Sequence, residues 1–277
     1  MTVSIVTDST SDIPEEVSRE LGIHVVPLNV HFGLEAYRDG VDMHADEFYR
    51  RLTTDDVLPK TSAPSPETFK EAYRNLDGKT DGVVSIHIAS KMSATYNAAC
   101  QGKQDANAKC RIEVIDSGLV SIGLGLLVIV VAKAARTGAS IDEILKLTHE
   151  SIDRVTLVGA LDTLIYLQKG GRIGKAQAWI GSILSFKPLI SFKKGETIPL
   201  ERVRTHSKAV DKLYEILKEN LPAREVAVIY STEAEEAEKM VGYLKGLYPE
   251  KHIYLSRFGP VLGTYVGPRS LGVSVLK

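Results

Sequence analysis

The chain has 277 residues, with 34 Lys and Arg against 35 Asp and Glu for a formal net charge of −1, and it is 44% hydrophobic. That length accommodates one large domain or two ordinary ones with ample buried core, and the balanced charge removes any electrostatic case for nucleic acid or an anionic membrane as partner. Two cysteines, Cys100 and Cys110, are too few for a disulfide framework and lack metal-ligand spacing, so a reduced, cytoplasmic setting is expected. No basic stretch leading into an apolar run follows Met1, so no signal peptide is expected. The most apolar run, residues 122–132, contains two glycines and falls well short of the ~20 residues needed to cross a bilayer.

In chain order, strands and helices alternate. Val3-Ser4-Ile5-Val6 reads as a short buried strand ending at Thr7-Asp8-Ser9-Thr10-Ser11-Asp12. Pro14 can occupy the first turn of the next helix, with Asp12 as its cap and Glu15 and Glu16 at its positive end. Residues 25–32 read as a second strand, 33–43 as a loop, 45–52 as a short helix, and Pro66 opens another helix capped by Ser65. A strand over 82–88, a helix over 93–108 and a strand over 111–115 follow. Residues 119–135 form a helix apolar nearly all round, which predicts burial on several sides. After an amphipathic helix over 141–151 the pattern resumes: strand 155–161, helix 176–184, strand 188–192, helix 208–220, strand 225–230, helix 234–247 and strand 253–255. The expected fold is α/β, two α/β domains with mainly parallel sheets. The first would span residues 1–152 and carry hydroxyl-rich loops. The second would span 153–277 and carry glycine-rich motifs.

Standard catalytic signatures are absent: no GxxxxGK[ST] loop, no HExxH, no GxSxG and no complete GxGxxG after a strand. Gly123-Leu124-Gly125 sits inside the apolar helix, where close helix packing explains it. His24, His31 and His44 share a region but read as surface residues, and no metal site is expected. Hydroxyl-rich turns stand at the carboxyl ends of strands: residues 7–12, then Thr61-Ser62-Ala63-Pro64-Ser65-Pro66, then Ser90-Lys91-Met92-Ser93-Ala94-Thr95-Tyr96. Ligands of open parallel sheets collect there, where helix amino termini offer unpaired N–H groups suited to a carboxylate or phosphate. Asp12 and Ser65 read as helix caps. Thr61, Ser62, Ser93 and Thr95 cluster beyond what one cap needs and point to a ligand. Two glycine-rich segments, Leu167-Gln168-Lys169-Gly170-Gly171-Arg172-Ile173-Gly174 and residues 258–268 around Thr264 and Tyr265, bring backbone close to a ligand or to another chain segment, or form tight turns.

These motifs, in this order and over the whole length, resemble the DegV family of bacterial fatty-acid-binding proteins. The resemblance rests on Ile5-Val6-Thr7-Asp8-Ser9-Thr10-Ser11-Asp12, the segments 61–66 and Ser93-Ala94-Thr95-Tyr96. Asp116-Ser117, Gly170-Gly171-Arg172-Ile173, Lys187-Pro188 and Gly263-Thr264-Tyr265-Val266-Gly267-Pro268 extend it. It implies a ligand site between two α/β domains and a long-chain fatty acid as bound ligand, with no other cofactor. The carboxylate would meet Thr61, Ser62 and Ser93, with Thr95, Thr264 and Tyr265 in the same site, and the tail would enter an apolar tunnel. Ile122, Leu126 and Ile129, or Ile180 and Leu184, are candidate walls, although core packing also accounts for each. The family includes carriers that present the acid to a separate fatty-acid kinase for phospholipid synthesis, consistent with the absent phosphate loop. Arg172, Arg202 and Arg204 are expected to contact the head group or that partner, and the family arginine after the Lys-Pro strand maps onto Arg202 or Arg204. The family pattern has His where this chain has Tyr265, which can donate a hydrogen bond but cannot supply a cation. Two other readings stay open: an enzyme acting on a small anionic substrate with Asp8 or Asp116 as general base near Ser93, and a binding protein for another carboxylate or phosphate.

Overall fold

The computed structural model describes residues 2–182 and 186–277. Its first half builds a four-stranded, wholly parallel sheet ordered β2-β1-β6-β7 from β1 (Val3–Asp8), β2 (His24–Val26), β6 (Gly82–His87) and β7 (Arg111–Asp116). β3 (Asn29–Phe32), β4 (Glu35–Arg38) and β5 (Lys60–Ser62) form a small antiparallel sheet beside it. The stretch expected as one strand over 25–32 therefore splits at Pro27-Leu28, and part of the expected loop over 33–43 pairs as β4. α1 (Glu15–Leu21), α2 (Ala45–Thr54), α3 (Pro66–Leu76), α4 (Thr95–Ala106), α5 (Ser121–Arg136) and α6 (Ile141–Ile152) complete this half.

Alternation along β6 decides which helix covers which face. Val83, Ser85 and His87 turn toward α3 and α4, while Val84 and Ile86 turn toward α5. β6 is buried on both faces, as expected of a central parallel strand.

The second half forms a six-stranded sheet ordered β10-β9-β8-β13-β11-β12 from β8 (Val155–Ala160), β9 (Lys187–Lys193), β10 (Glu196–Val203), β11 (Glu225–Tyr230), β12 (Ile253–Arg257) and β13 (Leu271–Leu276). α8 (His206–Asn220) and α9 (Ala234–Leu247) cover its outer face, and two short helices, α7 (Ile165–Lys169) and α10 (Pro260–Val266), lie at its margins. The α/β class holds, but here only β11–β12 is a parallel pair. β13 inserts antiparallel between β8 and β11, and β9–β10 is a hairpin, so the mainly parallel pairing expected of both sheets holds only in the first. The helix expected over 176–184 is instead a 3-10 helix over Gly174–Ser182, opened by Gly174 in a left-handed conformation (φ 53°).

α5 lies between the two sheets and packs on β1 from one side and on β8, β11 and β13 from the other. That sandwich explains its composition: every residue from Ser121 to Ala132 is buried. The resulting layers run helix, sheet, α5, sheet, helix. A Cβ added at Gly125 would sit 2.5 Å from the Ser11 carbonyl oxygen, so this glycine serves close packing of the 3-10 turn Ser9–Ser11, as the sequence suggests. No helix among the described residues is long and apolar enough to cross a membrane.

Candidate functional site

Where the two halves meet beyond the amino terminus of α5, they enclose a cavity of about 180 Å³, counted as space open to the centre of a water molecule. One water needs roughly 10–15 Å³ on that measure, so this is a ligand-sized void. The six-stranded sheet supplies Leu157, Gly159 and Leu161 of β8 and its following turn, with Ile190 and Phe192 of β9 and Gly272 of β13. Period-two alternation explains the set: residues 157, 159 and 161, and likewise 190 and 192, share the face turned toward α5. α10 and the turn before it add Phe258, Val261, Leu262, Tyr265 and Val266, and the first half adds Leu28, Ile88, Met92, Val120 and Ser121. Arg172 is the one charged residue on this wall among the described residues.

Of the polar residues on this wall, Thr10 and Ser121 give their hydroxyls to Asp8 and Asp12, and the others lie near Tyr265 and Ser93. Thr61 lies on β5 opposite Val30, and its hydroxyl is 2.5 Å from the Tyr265 hydroxyl of α10. The Arg172 guanidinium stacks 5.3 Å from the centre of the Tyr265 ring and is held by the carbonyls of Met92 (3.2 Å) and Gly170 (2.8 Å). Ser93 lines the same cavity, its hydroxyl 2.8 Å from that of Thr95 and accepting from the Thr95 N–H. Thr61, Arg172 and Tyr265 also face a second hollow of about 440 Å³ that includes Lys60, Lys169, Tyr166 and Thr264. These three residues thus form a partition between the apolar chamber and a second one bordered by Lys60 and Lys169.

Not every expected residue reaches this place. Ser62 follows Thr61 on the strand and so points to the opposite face, where it meets the His31 ring at 2.9 Å and is exposed. Thr95 is buried behind Ser93 as the first residue of α4. The Thr264 hydroxyl donates to the Pro260 carbonyl within α10. Arg202 stacks on Trp179 and Phe186, and Arg202 and Arg204 lie off the cavity wall. Ile122, Leu126 and Ile129 are fully buried core rather than wall, Ile180 does not line the cavity, and Leu184 lies outside the described residues. The glycine-rich segments prove to grip each other. A Cβ on Gly170 would overlap the Tyr265 ring, and one on Gly267 would overlap the Tyr166 ring.

The turn after β1 has another role. Asp8 is fully buried and both its oxygens are occupied: one accepts from the Thr10 N–H (3.1 Å) and hydroxyl, the other from the Ile88 N–H (3.1 Å) and meets His87 Nδ1 at 2.9 Å. His87 Nε2 lies 2.7 Å from the Ser85 hydroxyl, which accepts from the Tyr73 hydroxyl at 2.9 Å. This order of Ser, His and Asp resembles a nucleophile relay, yet all three are buried, and Ser85 faces α3 and not the cavity. Asp116 is likewise engaged, accepting from the Ser90 N–H and hydroxyl and from the Gly118 N–H. Neither carboxylate meets Ser93, so the general-base arrangement considered from the sequence is not assembled. His87 belongs to none of the motifs above, although a histidine within a largely apolar central strand must find a buried partner.

Asp12 was expected to cap α1, but Pro14 occupies that position. Asp12 adopts a left-handed conformation (φ 48°) and turns inward, accepting from the Ser121 hydroxyl (2.7 Å) and the Gly259 N–H (3.0 Å). Burial pushes its carboxyl well above the ordinary range, against those hydrogen bonds, with Asp39 and Asp8 nearby adding to the rise. Asp39, bonded to the Ser9 hydroxyl and the Val261 N–H, is pushed up to about 7, mainly by burial. The two acids fasten α5 and α10, both of which border the cavity, to the turn after β1. Ser65 caps α3 as expected, accepting from the Thr68 N–H at 3.2 Å. Among the described residues no group of three or more His, Cys, Asp or Glu is arranged to hold a metal ion.

Comparison with known proteins agrees with this architecture. Residues 2–277 match the model of a family described as uncharacterised protein, DegV family. Protein DegV of Bacillus subtilis is 35% identical over 278 residues, covering 99% of this chain and 98% of its own. The solved structure of DegV, described as a fatty acid binding protein from Bacillus subtilis, superposes with a TM-score of 0.91 at 34% identity over the full length of both chains. A fatty acid (stearic acid)-binding protein from Eubacterium ventriosum gives a TM-score of 0.92 at 28% identity, covering 99% of this chain and 98% of that one.

Proposed function

The chain belongs to the DegV family, and on that premise we propose that it binds a long-chain fatty acid, with the tail in the apolar cavity and the carboxylate at Thr61, Ser93 and Tyr265. The observation that carries this reading is the group of Thr61, Ser93 and Tyr265 hydroxyls on a largely apolar wall, whose other hydroxyl residues, Thr10 and Ser121, are bound to Asp8 and Asp12. Each of these hydroxyls can rotate from its present partner to donate to an anion, and Arg172 stands beside them as the nearest fixed cation on the wall. A sixteen-carbon acid has about fourteen methylenes, each worth about 0.8 kcal/mol when buried, a gross gain of roughly 11 kcal/mol. Ordering the tail and desolvating the carboxylate subtract several kcal/mol, which leaves affinity in the micromolar-to-nanomolar range. The tail supplies most of the affinity, and the hydroxyls set orientation and contribute the rest.

The same reading makes the protein a cytoplasmic carrier that presents its acid to a separate fatty-acid kinase for phospholipid synthesis. Support comes from the partition: Thr61 and Tyr265, two of the residues proposed to hold the carboxylate, also face the hollow bordered by Lys60 and Lys169, through which a partner can reach the head group. Arg172, Arg202 and Arg204 are the proposed partner contacts. Because Tyr265 stands where the family pattern has His, the carboxylate is met here by neutral donors and Arg172. Denaturing mass spectrometry of the purified chain is expected to release one long-chain fatty acid per protein. A protein that is empty and also takes up no labelled palmitate contradicts the proposal.

A further inference from the structure

Two glycines lie side by side in the floor of the cavity. Gly159 of β8 pairs in register with Gly272 of β13 and, on its other side, with Ile190 of β9, and all three line the cavity. The two glycines have different reasons to be there. A Cβ on Gly272 would come within 3.0 Å of Ile229 Cγ2 and 3.3 Å of the Val158 carbonyl oxygen, so a side chain there would press on both neighbours. A Cβ on Gly159 would meet only Leu161 Cδ2 at 3.8 Å, an ordinary contact, and Gly159 is not among the residues with positive φ. Glycine in a strand interior is destabilising relative to residues that carry a side chain. Neither conformation nor packing requires glycine at 159. What its absent side chain provides is width, in a floor otherwise set by Leu157, Leu161 and Ile190.

We infer that Gly159 is a specificity-determining residue whose bare backbone widens the cavity floor, so that the site accepts bent long-chain acyl tails as well as straight ones. This rests on the fatty-acid reading above. A straight saturated chain fills a narrow channel, whereas a cis double bond displaces the lower half of the chain sideways and needs a gap of about one side chain. Gly159 offers that gap where the flanking positions on its own strand carry leucines.

The test compares equilibrium binding of palmitate and oleate to the full chain, its Gly159→Val variant and its smaller Gly159→Ala variant, with thermal midpoints measured without added acid. The unaltered chain is expected to bind both acids within about threefold of each other. Gly159→Val is expected to weaken oleate by about tenfold or more, within the range a single misplaced methyl group produces, and palmitate by less than threefold. Its thermal midpoint should stay level or rise, since valine suits a strand. Gly159→Ala should shift the ratio in the same direction by a smaller factor, and it carries the test if the valine variant does not fold. The inference is overturned if both variants bind both acids as the unaltered chain does, if they lose both equally, or if even Gly159→Ala lowers the thermal midpoint, which would make the glycine a packing requirement. If the unaltered chain binds neither acid, the fatty-acid reading itself fails, and that result is distinct from any change in selectivity.

Discussion

Two hydroxyl-rich regions of the molecule use the same residue types to opposite ends. In the turn after β1, Thr7 donates to the Ile86 carbonyl, Ser9 meets Asp39 and accepts from the Leu28 N–H, and Thr10 is bound to Asp8. These three hydroxyls are tied to a carboxylate or to backbone, and they serve as buried scaffolding. At the cavity, among the described residues, the Thr61 hydroxyl meets only Tyr265, and that of Ser93 meets only the Thr95 hydroxyl and N–H. Hydroxyl–hydroxyl pairs are neutral and can be re-formed around an anion, whereas a hydroxyl already held by a carboxylate is committed. The presence of an acid inside the protein, more than the hydroxyls themselves, separates a structural turn from a recognition site.

The largest expected effect is in the scaffold. Asp8→Ala removes the partner of His87, Thr10 and the Ile88 N–H in a fully buried site, and breaking such a set costs about 3–5 kcal/mol. Chemical denaturation should report that loss, with lipid retention falling only because the fold does. Asp39→Asn tests the other acid of the same region. Its carboxyl titrates at about 7 in the folded protein but near 3.8 when exposed, so between those values the folded state holds more protons than the unfolded one. Stability from this group is therefore greatest below about pH 4 and lost as pH rises toward 7, with a slope of up to about 1.4 kcal/mol per pH unit. Asp12, also raised, adds in the same direction. Denaturation midpoints measured from pH 4.5 to 8 should show a shallower fall in Asp39→Asn; an unchanged slope would exclude Asp39 as its source.

Smaller effects are expected at the cavity. Thr61→Val with Ser93→Ala should leave the thermal midpoint within a few degrees while lowering palmitate affinity by about 100-fold or more, since hydrogen bonds to a charged group contribute about 1.5–3 kcal/mol each. Unchanged affinity would place the carboxylate elsewhere. Smallest of all, Ser62→Ala, one residue along but on the outer face, should change affinity less than twofold in the same assay. A loss comparable to that of Thr61→Val would mean that β5 presents its other face to the ligand.

Much of this was legible in the sequence, for identifiable reasons. Sequence patterns marked α5, α9 and β11, and the all-round apolar character of α5 pointed to burial on several sides, which its place between two sheets explains. β13 escaped notice because Leu271-Gly272-Val273-Ser274-Val275-Leu276 mixes small and apolar residues near the end of the chain, and its antiparallel insertion between β8 and β11 is fixed only by tertiary pairing. Thr61, Ser93, Tyr265 and Arg172 were identified as candidates from the sequence and converge on one cavity. Ser62 was grouped with them by adjacency, which strand alternation reverses. Asp12 read as a cap because Asp before a Pro-initiated helix usually is one, and only the fold shows that Gly259 and Ser121, more than a hundred residues away, bind it instead. The cavity walls were hardest to foresee, since Leu28, Leu157, Ile190 and Val261 look like any other core residues until the two halves are brought together.

The claim at the centre of this account is that Thr61, Ser93 and Tyr265 hold a fatty-acid carboxylate. Carbon-13 NMR of the chain loaded with palmitate labelled at its carboxyl carbon tests it most directly. The account predicts one bound carboxyl resonance, distinct from free palmitate, that shifts in Thr61→Val, Ser93→Ala and Tyr265→Phe and stays in place in Ser62→Ala. A bound resonance indifferent to the first three variants, or no bound resonance at all, would contradict it.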